Sequence, residues 1–127
     1  MYGRDQYQQA ATSTAGPAQL VLMLFDGALV RLEVARDAIS EGRIAAAHEA
    51  IVRVQAIVDE LHLSLDHSRG GAVAGNLASL YTYCSEQLLE ANIHKDAALL
   101  LEVERVLQGL RDAWDQGVVR GAVAVAG

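Results

Sequence analysis

From Leu20 to Phe25 the chain runs six apolar residues without a break, LVLMLF, directly behind a leader of Gln, Ala, Ser and Thr and its one proline, Pro17. Periodicity takes over from there. Leu20, Leu24, Ala28, Leu32, Ala35 and Ile39 recur three or four residues apart, which puts them on one helical face. Ile44, Ala47, Ile51, Val54, Val58, Leu61 and Leu65 alternate three and four apart, the signature of a helix-bundle seam. A third stripe reads Val73, Leu77, Leu80, Cys84, Leu88 and Ala91, with Tyr81 and Tyr83 flanking it, and a fourth reads Ala97, Leu100, Val103, Leu107, Leu110 and Trp114.

These patterns predict one all-α domain over residues 1–127, an antiparallel four-helix bundle with a short N-terminal leader or cap. The leader spans 1–16, the helices 17–41, 44–68, 72–92 and 95–117, and a tail 118–127. Pro17 suits a first helical turn, where its missing N–H is no loss, and Gly16 is a weaker cap than Ser or Thr. Ser68-Arg69-Gly70-Gly71 carries a loop signal, and the break at Asn92–Asp96 is short enough to force an antiparallel neighbour. The sequence from Gly117 to Gly127 has no amphipathic face and three glycines, so it reads as disordered rather than docked. Leu80 and Tyr81 point about 100° apart and cannot both be central. Leu80, with Leu77, Cys84 and Leu88, is assigned to the interior and Tyr81 to its margin.

Composition agrees with helix: 52% of residues are hydrophobic but only 5% aromatic. The net charge of −6 repels a phosphate backbone, which argues against nucleic acid. Cys84 stands alone, as in a reducing compartment; no signal-peptide order is seen, and no apolar run nears the roughly 18 residues of a membrane span. A cytoplasmic protein is expected. Catalytic and metal chemistry find no support. Asp59-x-x-His62 is a lone fragment of a di-iron motif, Gly70-Gly71 lacks the Lys and Ser/Thr of a phosphate loop, and Cys84 has no assignable base. No metal, cofactor or small-molecule substrate is therefore expected.

Two helices carry more apolar surface than one seam needs. The first is apolar nearly all round at Leu20, Val21, Leu22, Met23, Leu24 and Phe25, and the third spreads Leu80, Tyr81, Tyr83, Cys84 and Leu88 over much of its circumference. Either the bundle buries these helices deeply or a groove accepts a partner's apolar helix.

Tyr7-Gln8-Gln9, the Thr/Ser/Ala leader, Pro17 and LVLMLFDGAL from Leu20 to Leu29 resemble the start of the flagellar secretion chaperone family FliS. NLASLYTYCSEQLLEANIHKD, Asn76 to Asp96, is similar to that family's third-helix signature, and Arg111-Asp112 with Trp114 fits its closing helix. The likeness runs over roughly residues 2 to 116. Gly16 departs from the usual Ser or Thr, Phe25 replaces a common Tyr, and nothing corresponds to the tail after Gly117.

The resemblance implies a chaperone that binds the disordered C-terminal segment of flagellin, prevents its premature polymerisation and presents it to the membrane-embedded export gate. Leu20, Met23, Leu24, Leu77, Leu80, Tyr81, Tyr83, Cys84 and Leu88 are the expected groove residues, with Tyr2 and Tyr7 in a removable leader that caps the bundle or meets the export gate. The alternative is a structural bundle that self-associates through its apolar faces, and a homodimer is expected where no client is bound.

Overall fold

The computed structural model of the chain describes residues 16–117 and 120–122. Four helices, α1 (Pro17–Ser40), α2 (Ile44–Leu63), α3 (His67–His94) and α4 (Ala97–Asp115), are followed by a 3-10 turn at Arg120–Ala122. The bundle is antiparallel. α1 packs on α2 and α4, α3 packs on the same two, and α1 and α3 face each other across the diagonal.

Local chemistry explains the boundaries. α1 starts on Gly16 with no side-chain cap and Pro17 in its first turn. It ends where Gly42, at φ +73°, lets Arg43 N–H reach the Ala38 carbonyl at 2.8 Å and Gly42 N–H the Ile39 carbonyl at 3.1 Å, a Schellman closure. α2 stops at Leu63, short of the expected 68, because Asp66 starts the next helix: its carboxylate accepts from Ser68 N–H at 3.1 Å and Arg69 N–H at 3.2 Å. The expected Ser68–Gly71 loop is thus a single helical turn, and the break its glycines signal is a kink at Gly71 (φ 52°, ψ −125°) inside α3. Asn92 lies within α3, whose end comes at Lys95 in the left-handed conformation, and Asp96 caps α4 through Ala98 N–H at 2.9 Å.

The core takes one stripe from each helix: Val21, Phe25, Ala28, Leu32 and Ala35; Ala47, Ile51, Val54, Val58 and Leu61; Ala74, Leu77, Tyr81, Cys84, Leu88 and Ala91; Leu100, Val103, Leu107 and Trp114. Two stripes depart from expectation. In α1, Val21 and Phe25 point inward in place of Leu20 and Leu24, because a run that is apolar all round leaves its first turns free to rotate by one residue. In α3, Ala74 and Tyr81 replace Val73 and Leu80, so the assignment of Leu80 to the interior and Tyr81 to the margin is reversed: Tyr81 is 3% exposed and Leu80 38%. The inward set 74, 77, 81, 84, 88, 91 alternates three and four without a slip, the more regular of the two choices.

α1 and α4 are also tied by directional bonds. Trp114 Nε1 donates to the Ala18 carbonyl at 2.7 Å, Arg111 Nε to Asp26 Oδ1 at 2.8 Å, and an Arg36 guanidinium nitrogen lies 2.9 Å from Glu104. The tail was expected to be disordered, yet its Arg120–Ala122 turn is docked on α3, with Ala122 buried.

Candidate functional site

Cross-helix contacts fix which flank of each helix faces which neighbour. Gly27 of α1 meets Ile57 of α2; His62 and Tyr81 bring their rings to 6.0 Å, and the Asn92 amide lies 3.0 Å from His48 Nδ1, between α2 and α3. Tyr83 of α3 lies near the Glu102 carboxylate of α4, close enough for that charge to act on its hydroxyl. With 100° per residue, the exposed apolar residues then fall into sets by side.

Leu20, Met23, Val30 and Val34 form a strip down the outer, α2-facing flank of α1, with Gly27 in its middle. The strip is the second apolar face of the opening LVLMLF helix. Its edges differ in charge. Arg31 and Arg53 border the α2 side, where with Val34, Ala46, Glu49 and Ala50 they line a hollow of 180 Å³. Asp26, Glu33 and Asp37 follow the opposite edge. Between α2 and α3, Val52, Leu89 and Ile93 are exposed, and between α3 and α4 so are Val73, Leu80 and Tyr83, beside half-buried Val106. The α4–α1 side is different. It holds both cross-helix ion pairs and, among the described residues, one exposed large apolar side chain, Leu101, in a hollow with Arg36, Asp37, Ser40, Ala97 and Ala98.

The expected groove residues therefore do not converge on one groove. Leu20 and Met23, with half-buried Leu24, lie on the α1 strip, whereas Leu80 and Tyr83 lie on the far side of the bundle, on the flank towards α4. Leu77, Tyr81, Cys84 and Leu88 belong to the core and support the surface from beneath. Tyr2 and Tyr7 lie outside the described residues. Val30, Val34, Val52, Leu89 and Ile93 were not foreseen. At 30 and 34 the signal was present as a second three-four register through 20, 23, 27, 30 and 34, masked by the stronger core register.

Electrostatics favour neutral chemistry here. Burial, with Glu102 nearby, pushes the Cys84 thiol up to about 11, so it is no thiolate nucleophile at neutral pH. Burial likewise raises the Tyr81 hydroxyl, and burial with the nearby Glu102 charge raises that of Tyr83. Among the described residues no cluster of His, Cys, Asp and Glu could hold a metal ion, and no helix is long and apolar enough to cross a membrane.

A family model described as flagellar protein FliS matches residues 1–121. The chain belongs to the FliS family. It is 40% identical over 109 residues to the flagellar secretion chaperone FliS of Salmonella typhimurium, covering 85% of this chain and 81% of that one. The flagellar secretion chaperone FliSB of Pseudomonas aeruginosa is 39% identical over 119 residues, 91% of this chain and 94% of that one. The Bacillus subtilis FliS is 34% identical over 112 residues, 88% of this chain and 83% of its own. A solved structure described as a flagellar chaperone from bacteria superimposes with a TM-score of 0.75 at 18% identity, over 93% of this chain and 96% of that one, and so shares the fold. FliS is a chaperone family in flagellar export, not an enzyme family.

Proposed function

We propose that this FliS protein holds the C-terminal segment of flagellin in the cytoplasm, keeps it from polymerising, and hands it to the membrane protein of the flagellar export gate. The carrying observation is that apolar residues lie exposed on three successive sides of the bundle, while the fourth carries ion pairs. A folded partner would touch one side. An extended chain with short amphipathic helices can follow all three, and a disordered client needs such length because it loses conformational entropy on binding. The acidic and basic edges of the α1 strip supply a direction for a helix laid along it.

Titration calorimetry with a flagellin C-terminal peptide tests this reading. Binding with a large negative heat-capacity change is expected, as for burial of apolar surface. No binding at tens of micromolar, or equal binding to folded outer flagellin domains, overturns it. Sedimentation distinguishes self-association through the same faces: a chaperone exchanges any homotypic contact for a 1:1 complex with the peptide, and an obligate homodimer keeps its mass.

A further inference from the structure

The α2–α3 corner is finished by the other end of the chain. Asp66 caps α3 with its carboxylate, which accepts from the Ser68 hydroxyl at 2.6 Å as well as from the two backbone N–H groups. That leaves Asp66 its own N–H. In a capping box a Glu or Gln three residues on accepts this proton, but here that position is Arg69, which has no acceptor. The Ala122 carbonyl takes the role instead, at 2.8 Å from Asp66 N.

Contact beneath that bond is close because Gly70 has no side chain. A Cβ there would stand 2.7 Å from Ala122 Cα, 2.9 Å from Ala122 Cβ and 2.8 Å from Ala74 Cβ, all far inside van der Waals contact. Ala122 joins the same apolar cluster as Leu65 and Ala74, and is 2% exposed. One residue on, Gly71 at φ 52° sets the turn His67–Gly70 at an angle to the rest of α3.

From this geometry we infer that Arg120–Ala122 is a strap: it plugs the Leu65–Gly70–Ala74 notch, supplies the missing N-cap acceptor, and opens without unfolding the bundle. Among the described residues its anchors are one buried alanine and one backbone bond, little to hold a three-residue turn that regains conformational freedom on release. Each of the four helices buries a stripe of its own beside it, and Ala122 touches that cluster at one corner only, by Leu65, Gly70 and Ala74. Opening uncovers an apolar notch at the end of the α2–α3 side, so the chain's own C-terminal segment decides whether that corner is covered.

The test uses the full-length protein and two variants, Gly70→Ala, which fills the notch, and Ala122→Glu, which leaves α3 untouched. In the wild type the Asp66 amide should exchange at least tenfold more slowly than in either variant. Trypsin should cut after Arg120 at least tenfold faster in both variants, while helical circular dichroism is kept and fluorescence of an apolar dye rises. If Gly70→Ala lowers overall stability, Ala122→Glu alone decides. Equal Asp66 exchange and equal Arg120 cleavage in wild type and Ala122→Glu overturn the strap, as does loss of the whole bundle's helicity when Ala122→Glu opens it.

Discussion

α1 has two flanks, and they are closed by different means. Towards α4, a Trp114 indole bonded to the Ala18 carbonyl and the pairs Arg111–Asp26 and Arg36–Glu104 lock the seam with directional contacts. Towards α2, closure rests on packing, such as Ile57 against the bare Gly27, and outside it Leu20, Met23, Val30 and Val34 remain exposed. A bundle helix needs one buried stripe, and Val21, Phe25, Ala28, Leu32 and Ala35 already supply it. The outer strip thus adds nothing that the fold requires. It leaves apolar area in water, which is what a protein that shelters another chain has to offer.

Truncating the inner face should cost most. Phe25→Ala and Trp114→Ala, both at buried positions, should each lower stability by about 3–5 kcal/mol in denaturant unfolding. Trp114→Ala also removes the donor to Ala18. A loss under about 1 kcal/mol at either site would mean that the α1–α4 seam is not part of the core.

The outer face should separate binding from folding. Met23→Glu with Val30→Glu places charges on the exposed strip and should weaken flagellin-peptide binding at least tenfold, about 1.4 kcal/mol. Melting should shift by no more than a few degrees. As a control, Gln108→Glu on the exposed face of α4 exchanges a hydrogen bond to Asp112 for a like-charge pair, a loss of about 0.2–0.5 kcal/mol, and should leave peptide binding unchanged. Unfolding of the Met23/Val30 variant to the extent seen with Phe25→Ala would show the strip to be structural.

Leu80 and Tyr81 carry the same contrast onto α3. Tyr81→Ala should destabilise by about 3–5 kcal/mol as a core aromatic. Leu80→Ala, at an exposed position, should stay within about 1 kcal/mol and act on client binding instead. Equal losses would contradict the orientation of α3.

How much of this was legible in the sequence depends on how sharply each pattern was bounded. α2 and α4 read well, because one three-four register runs the length of each despite apolar neighbours such as Val52, Ile57 and Leu101; only Ile44, now exposed, and half-buried Ala97 and Leu110 fall outside the full core. α1 and α3 did not, since neighbouring apolar residues offered two registers each, and tertiary fit chose Phe25 over Leu24 and Tyr81 over Leu80. The family likeness pointed to the helices that carry the candidate surface. It could not show that Leu20 and Leu80 fall on different sides of the bundle, which depends on the order of helix packing. The docked Arg120–Ala122 turn was hidden for another reason: Ala122 has no periodic partner, and its site is made by an absent side chain at Gly70.

Alkaline pH probes the core from within. The Cys84 thiol, ordinarily near 9.0, titrates near 11 in the folded chain because burial disfavours the thiolate. Below pH 9 both states hold the proton. Between about 9 and 11 only the unfolded chain releases it, so the thiol's contribution to stability should fall across that window and then level. Cys84→Ala should flatten the first part of the fall and leave the raised Tyr81 hydroxyl to act above its ordinary 10.0. An unchanged slope in the variant would place the thiol in water.

The smallest effect belongs to the polar closure of the α1–α4 seam. Asp26 and Arg111 are both part-exposed, with side chains 49% and 27% accessible. Water already screens such a pair, and exposed pairs contribute about 0.2–1 kcal/mol. Asp26→Asn should therefore cost no more than that. At 1 M salt, where screening acts within about 3 Å, the cost should shrink further. The pair then sets the register of α4 on α1 while Trp114 and Phe25 supply the energy of the seam. If Asp26→Asn costs more than about 2 kcal/mol and the loss survives in high salt, directional bonding rather than packing holds this flank, and the contrast between the two sides of α1 becomes one of energy as well as chemistry.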